Sequence, residues 1–344
     1  MKKLYKKILL GGVASTLLGG VLFLIGCGAN GFNFDFLSNV QIEQKEYAEE
    51  VGKNITELSL AFETTDVTVN FDETAQGVHV SYPQRQNKKG ENISEVTVTE
   101  TENSLTIIEK LLPHLSIFDI NDKKLTVTLP TSKAYALSFE GDTGDVTVNA
   151  GGSFSNLTVK ISTGDISLSN VQAEQLSATL STGDIKVDGA TVVGDFTAKS
   201  TTGDTTLSSI TASSLSVKAS TGDVKINGAT ITDAVSVETS TGDITFTGSV
   251  KAETVTVVTD TGDVKASDTV IDATALSFTT STGDVTAKLT GSKHDYATSI
   301  TTSTGDTNIS SNLENVLEGL INPTRTLKAK TSTGDIKIYF ANEN

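Results

Sequence analysis

The residues with the most chemical potential in this chain are ten aspartates: Asp145, Asp165, Asp184, Asp204, Asp223, Asp243, Asp263, Asp284, Asp306 and Asp335. Each follows a Thr-Gly pair, whose glycines are Gly144, Gly164, Gly183, Gly203, Gly222, Gly242, Gly262, Gly283, Gly305 and Gly334. Carboxylates repeated at a near-fixed step can do two kinds of work. They can hold a hard cation, since Ca²⁺ takes several carboxylate and carbonyl oxygens. They can instead cap turns by accepting backbone N–H bonds, as Asp does habitually. One carboxylate per repeat supplies few ligands, and the Gly-Gly-x-Gly-x-Asp nonapeptide of calcium rolls is absent. Turn capping is therefore the expectation, with no cofactor, no dedicated metal site and at most weak calcium binding.

A column of stacked aspartates also repels itself. At a separation on the order of 5 Å, an adjacent pair in water would repel by roughly 0.9 kcal/mol. Lys186, Lys225, Lys265 and Lys337 each stand two positions after an Asp of the series, on the same strand face, and offset part of that repulsion.

Other chemistry is scarce. His79, His114 and His294 are scattered without metal-ligand spacing, and no G-x-S-x-G nucleophile elbow occurs. A β-helical polysaccharide lyase would work through Asp clusters, calcium and Arg, and the only arginines are Arg85 and Arg325. The expectation is a protein that is not an enzyme.

The elements that position the aspartates follow from the glycine steps, which run 20, 19, 20, 19, 20, 20, 21, 22 and 29 residues. Such a period predicts stacked repeats with one supersecondary unit per coil. Leu215-Ser-Val217-Lys-Ala219 before one turn and Val224-Lys-Ile226 after it alternate apolar with polar side chains. Each repeat thus holds two short, half-buried strands. Asp188-Gly189-Ala190 and Asn227-Gly228-Ala229 supply a second bend, and Gly in the Thr-Gly-Asp turn permits the positive φ of a type II turn.

Two architectures satisfy this pattern. A meander would make Thr-Gly a hairpin loop and pair Leu180 with Ile185. A parallel β-helix would stack like on like and set Val217 beside Val237. Hairpins favour Asn-Gly, Asp-Gly or Gly-X loops, so the fold class predicted is all-β, a parallel solenoid of about twenty-residue coils. Eleven coils, counting Glu63-Thr64-Thr65-Asp66 as a turn that lacks its Gly, would make a rod of roughly 50 Å.

The ends depart from the regular repeat. Residues 57–140 read as irregular coils that cap the solenoid, with a small separate β-domain as the competing arrangement. Regular repeats occupy 141–310. In 311–323, Leu313, Val316, Leu317, Leu320 and Ile321 follow helical spacing, with Ser311 and Glu314 as a capping box. Residues 324–340 form the last coil, so the solenoid spans 57–340.

The N-terminus carries the address. Lys2, Lys3, Lys6 and Lys7 precede an uncharged run from Ile8 to Phe32, making 1–32 a secretion signal or membrane span. Leu24-Ile25-Gly26-Cys27 inside it resembles the lipobox of bacterial lipoproteins, in which the Cys thiol takes the lipid. A cleaved lipoprotein and an uncleaved helix both remain open, and both tether the chain to the cytoplasmic membrane with the repeats outside. Residues 33–56 read as a spacer in which Ser38 and Gln41 could cap a short helix ending at Gly52.

Charge narrows the partners. The 344 residues carry 26 basic and 42 acidic side chains, and the first 32 hold four lysines and no acid. The remainder is therefore 22 against 42, a net of −20, which argues against nucleic acid.

The Ser-Thr-Gly-Asp ladder, led in by Leu125-Thr-Val127-Thr-Leu129-Pro130 and Tyr135-Ala-Leu137, resembles the putative-adhesin β-strand-repeat family of bacterial envelope proteins. That group includes the LiaG-like proteins associated with envelope-stress systems. The resemblance covers about 55–340 and implies a right-handed β-helix outside the cytoplasm. It implies a membrane-anchored surface binder of envelope polysaccharide, cationic peptide or a host surface. The alternative it carries is an envelope-stress sensor or regulator that acts through a membrane signalling partner.

Overall fold

The structure, a computed structural model, describes residues 40–50, 53–87, 89–111, 124–149, 151–310 and 323–341. Cys27 and the expected helix over 311–323 lie outside them, apart from residue 323.

Alternating apolar and hydroxyl residues build two stacks of parallel strands. The first runs, in spatial order, Ser104–Leu111, Glu57–Thr64, Ala134–Thr143, Ser153–Thr163, Leu176–Thr182 and Asp195–Thr202. It continues through Ser214–Thr221, Ala234–Thr241, Thr254–Thr261, Ala275–Thr282, Arg325–Lys330 and Tyr296–Thr301. The second stack begins Leu125–Pro130, Val67–Asp72, Val146–Asn149, Ile166–Ala173, Ile185–Val192 and Thr205–Ala212. It ends Val224–Ile231, Ile244–Lys251, Val264–Asp272, Val285–Leu289, Ile336–Phe340 and Thr307–Ile309. Val217 lies opposite Val237, as a solenoid requires. The Leu180–Ile185 hairpin does not form, because both strands pair in parallel with neighbouring coils.

Strands of the second stack bend in mid-course. Asn170, Gly189, Ser209, Gly228 and Gly248 all have left-handed φ between 48° and 76°. At the first three positions the ladder passes directly from the residue before to the residue after, as from Ser169↔Asp188 to Val171↔Ala190. Each circuit therefore has three sides around one continuous core. Val, Ile, Leu and Ala fill it, with Phe154, Phe196, Phe246 and Phe278 among its largest fully buried side chains. At ~4.8 Å per layer, the stacked strands make a rod of about 50 Å.

Two expectations about the ends are corrected. Val40–Ala48 is a strand, not a spacer helix, and pairs antiparallel with His79–Asn87. Ile42 is buried between exposed Gln41 and Glu43, the alternation of a strand and not of a helix. The cap is completed by Ser94–Glu100, antiparallel to Ser104–Leu111.

Chain order and spatial order also diverge. At one end the strands of 57–72 lie between those of 104–111 and 125–130 and those of 134–149. At the other, residues 325–340 do not close the rod. They lie between the coil of 275–289 and the coil of 296–309.

Candidate functional site

The Thr-Gly-Asp corner joins the two strand stacks in every regular coil. Its glycines have φ between 126° and 148°, well beyond the type II value expected. Stacking is the stronger reason for Gly. A Cβ on Gly183 would lie 1.9 Å from the carbonyl oxygen of Gly164, and one on Gly222 would lie 2.1 Å from that of Gly203. No side chain of any kind fits there.

Three hydrogen bonds join each corner to the next. Gly164 N–H donates to Thr182 O at 3.0 Å, and Ile166 N–H donates to Asp184 O at 2.9 Å. Asp184 N–H donates back to the Asp165 carboxylate Oδ1 at 2.8 Å. The expectation that each Asp caps its own turn is thus corrected: it caps the amide of the neighbouring coil.

The same bond, 2.7–2.9 Å long, links Asp66 through Asp145, Asp165, Asp184, Asp204, Asp223, Asp243, Asp263, Asp284 and Asp335 to Asp306. Asp66 belongs to this ladder although its turn lacks Gly, a role the sequence reading missed. The signal was present, since Asp66 stands just before Val67 as Asp145 does before Val146.

A second series was also missed. Thr239, Thr259, Thr280 and Thr331 are buried, and their hydroxyls donate to the carbonyls of Gly222, Gly242, Gly262 and Gly283 at 3.0–3.4 Å. Alternation marks these positions as inward, but Thr is so common outside the rod that its composition hid them.

Charge balance falls on few lysines. Lys265 Nζ bridges Asp243 at 2.6 Å and Asp263 at 3.2 Å, and Lys337 reaches Asp335 at 3.3 Å. Burial alone would raise the Asp243 pKa, but the Lys265 contact and the Asp263 N–H outweigh it and hold the carboxyl below its ordinary value. The Asp306 N–H, then Lys337, hold Asp335 down likewise. Lys186 and Lys225 make no ion pair among the described residues.

The histidines are not brought together as a site. His79 pairs with Glu46 at 2.6 Å, His294 lies in the short turn Lys293–Asp295, and His114 is outside the described residues. Among the described residues, no three His, Cys, Asp or Glu side chains form a group able to hold a metal ion. Nor is any helix among them long and apolar enough to cross a membrane.

Stacked coils with a Gly-Asp corner define a β-solenoid repeat protein. The chain belongs to the Toastrack DUF4097 family, whose model matches residues 55–247 and 190–339. It is similar to a crystal structure of a putative adhesin from Bacteroides fragilis at 16% identity and TM-score 0.36, covering 87% of this chain and 97% of that one. A putative adhesin from Parabacteroides merdae matches at 11% identity and TM-score 0.31, with 86% and 97% covered. A putative lipid binding protein from Parabacteroides distasonis matches at 12% identity and TM-score 0.28, with 88% and 97% covered. No curated protein matches the chain.

Proposed function

We propose that this chain is a non-enzymatic, membrane-anchored binding rod displayed outside the cytoplasmic membrane, its ligand an extended envelope or host-surface polymer. The corner is the observation that carries the reading. The corners from Gly144-Asp145 to Gly283-Asp284, and Gly334-Asp335, spend Asp Oδ1 and the Gly amide on stacking, while the turn threonines Thr163, Thr182, Thr202, Thr221, Thr241, Thr261 and Thr282 remain exposed. A rigid hydroxyl row beside a carboxylate row, repeated every ~4.8 Å, complements a chain-like ligand with its own repeat better than a small molecule. Its acidity favours cationic or polyhydroxylic polymers over polyanions.

The test is capture from envelope polysaccharide and cationic-peptide fractions, comparing wild type with Thr202→Ala/Thr221→Ala/Thr241→Ala/Thr261→Ala. Exposed hydroxyls contribute little to stability, so melting should change little while capture falls. Equal capture by both proteins would exclude the corner face as the binding surface. Anchoring has its own test. If Cys27 is the lipid site, Cys27→Ala abolishes labelling with a fatty-acid analogue. An intact N-terminus on the mature wild type leaves the apolar run as anchor.

A further inference from the structure

Residues 325–340 occupy a slot with two matching walls. On one wall, Gly283 N–H donates to Thr333 O and Val285 N–H to Asp335 O, both at 2.9 Å. Asp335 N–H returns a bond to Asp284 Oδ1 at 2.7 Å, and Thr331 Oγ1 donates to Gly283 O at 3.0 Å. The opposite wall repeats the set. Gly334 N–H donates to Thr304 O, Ile336 N–H to Asp306 O, Asp306 N–H to Asp335 Oδ1 and Thr302 Oγ1 to Gly334 O, at 2.8–3.0 Å.

One pentapeptide recurs in all three layers: Thr-Ser-Thr-Gly-Asp stands at 280–284, 302–306 and 331–335, as it does at 239–243. Thr282, Thr333 and Thr304 follow one another in a single bridge column. Nothing in these contacts records which chain the inserted coil came from.

Arg325 adds a latch. Its Nη1 donates to Asp272 Oδ1 at 2.8 Å and Ala273 O at 3.0 Å, and its guanidinium lies 5.8 Å from the centre of the Tyr296 ring. One side chain therefore ties the inserted coil to both walls.

In the chain, the inserted coil follows both of its walls. Residues 296–309 precede 325–340 and carry the same corner, so they can dock first on the 275–289 coil in the same register. The wedge then has to enter beneath a coil that competes for its place. While the slot stands open, any copy of the wedge satisfies it.

We propose that the 325–340 coil is exchangeable, and that the slot accepts it from a second copy of this chain to give a reciprocally swapped dimer. Swapping replaces each contact by an identical one, so its enthalpic cost is small. Fifteen residues, 310–324, join the wedge to the preceding coil, and a chain of that length reaches up to ~50 Å. Insertion within one chain is favoured by an effective concentration of the order of millimolar. Exchange accordingly belongs to crowded copies.

The test uses two differently tagged full-length chains, both carrying Cys27→Ser. One carries Thr282→Cys and the other Thr333→Cys, and they are produced together in the same cells before mild oxidation. Exchange places the two thiols in adjacent strands and yields a mixed disulfide between the tags. Its yield should exceed that of a control pairing Thr282→Cys with Thr202→Cys, four coils away. It should rise further when Arg325→Ala opens the latch. A single chain with both Thr282→Cys and Thr333→Cys must close an internal disulfide, which reports that the slot is built as described. Internal closure with mixed product no greater than the control overturns the proposal. Failure of internal closure overturns it too, because the slot itself would then be absent.

Discussion

Each corner aspartate up to Asp335, which precedes the terminal Asp306 in the ladder, divides its carboxylate. Oδ1 accepts the amide of the next coil, while Oδ2 is left for solvent or for lysine, as at Asp243 and Asp263 with Lys265. The amide bond needs an oxygen acceptor on a short side chain, which Asn supplies and Ala does not. Changing Asp204, Asp223, Asp243 and Asp263 to Asn together keeps the four acceptors and gives up only the Lys265 pairs, so melting should fall slightly. The same four changes to Ala orphan four amides, at ~1 kcal/mol or more each, and should lower it clearly. Calcium titration should show little specific binding by either wild type or the Asn variant. Saturable wild-type binding at sub-millimolar calcium, lost in the Asn variant, would make the column a metal site instead.

The corner and the cap fail for different reasons at the scale of elements. In the corner, Gly222→Val places a branched side chain against the Gly203 carbonyl. Lys225→Thr alters only an outward strand position. The first should cost several kcal/mol, as severe backbone clashes do, and the second almost nothing. Matching denaturation midpoints for the two would show that the coils can separate to admit a Cβ.

In the cap, Arg85 and Glu109 form a fully buried ion pair, and Arg85 also donates to Thr64 O and Thr65 Oγ1. Burial pushes the Glu109 carboxyl above its ordinary pKa despite the opposing Arg85 charge. Arg85→Ala strands that carboxylate and should destabilise the cap by ~3–5 kcal/mol at neutral pH. A carboxyl whose folded pKa is raised loses stability as pH rises and regains it on protonation. The deficit of the variant should therefore shrink as pH falls toward the ordinary carboxylate range. A deficit constant with pH would mean that packing, not charge, is what Arg85 supplies.

For the rod as a whole, the corner ladder sets the response to acid. Asp243 and Asp335 have lowered pKa values, so their contribution is present above the ordinary carboxylate pKa and lost as pH falls through the lower folded value. Melting followed downward in pH should hold until below the usual Asp range and then drop. Lys265→Gln removes the charge that does most to hold the Asp243 pKa down and should make that drop smaller. An unchanged profile would show that the amide bonds alone hold the carboxylates ionised. Coils contact only their neighbours, so hydrogen exchange in Gly222→Val or Lys265→Gln should rise around the altered coils and leave the antiparallel cap protected.

Period and alternation are local properties that each copy restates, so the repeat and its corner could be read from the chain and parallel stacking favoured over a hairpin. Gly at ten corners follows from that period, and the pairing of Val217 with Val237 follows once Thr-Gly is set aside as a poor hairpin loop. Tertiary structure decided what repetition cannot specify. The recipient of each Asp Oδ1 is an amide one coil away, so no single turn reveals it. Thr239 and Thr179 are the same residue type on opposite faces of the sheet, and only the packed core separates them. At 280–284, 302–306 and 331–335 the identical pentapeptide gives all three layers the same corner. Their spatial order, with 331–335 in the middle, came from how the ends close. Arg325 reaches both neighbours only in that order.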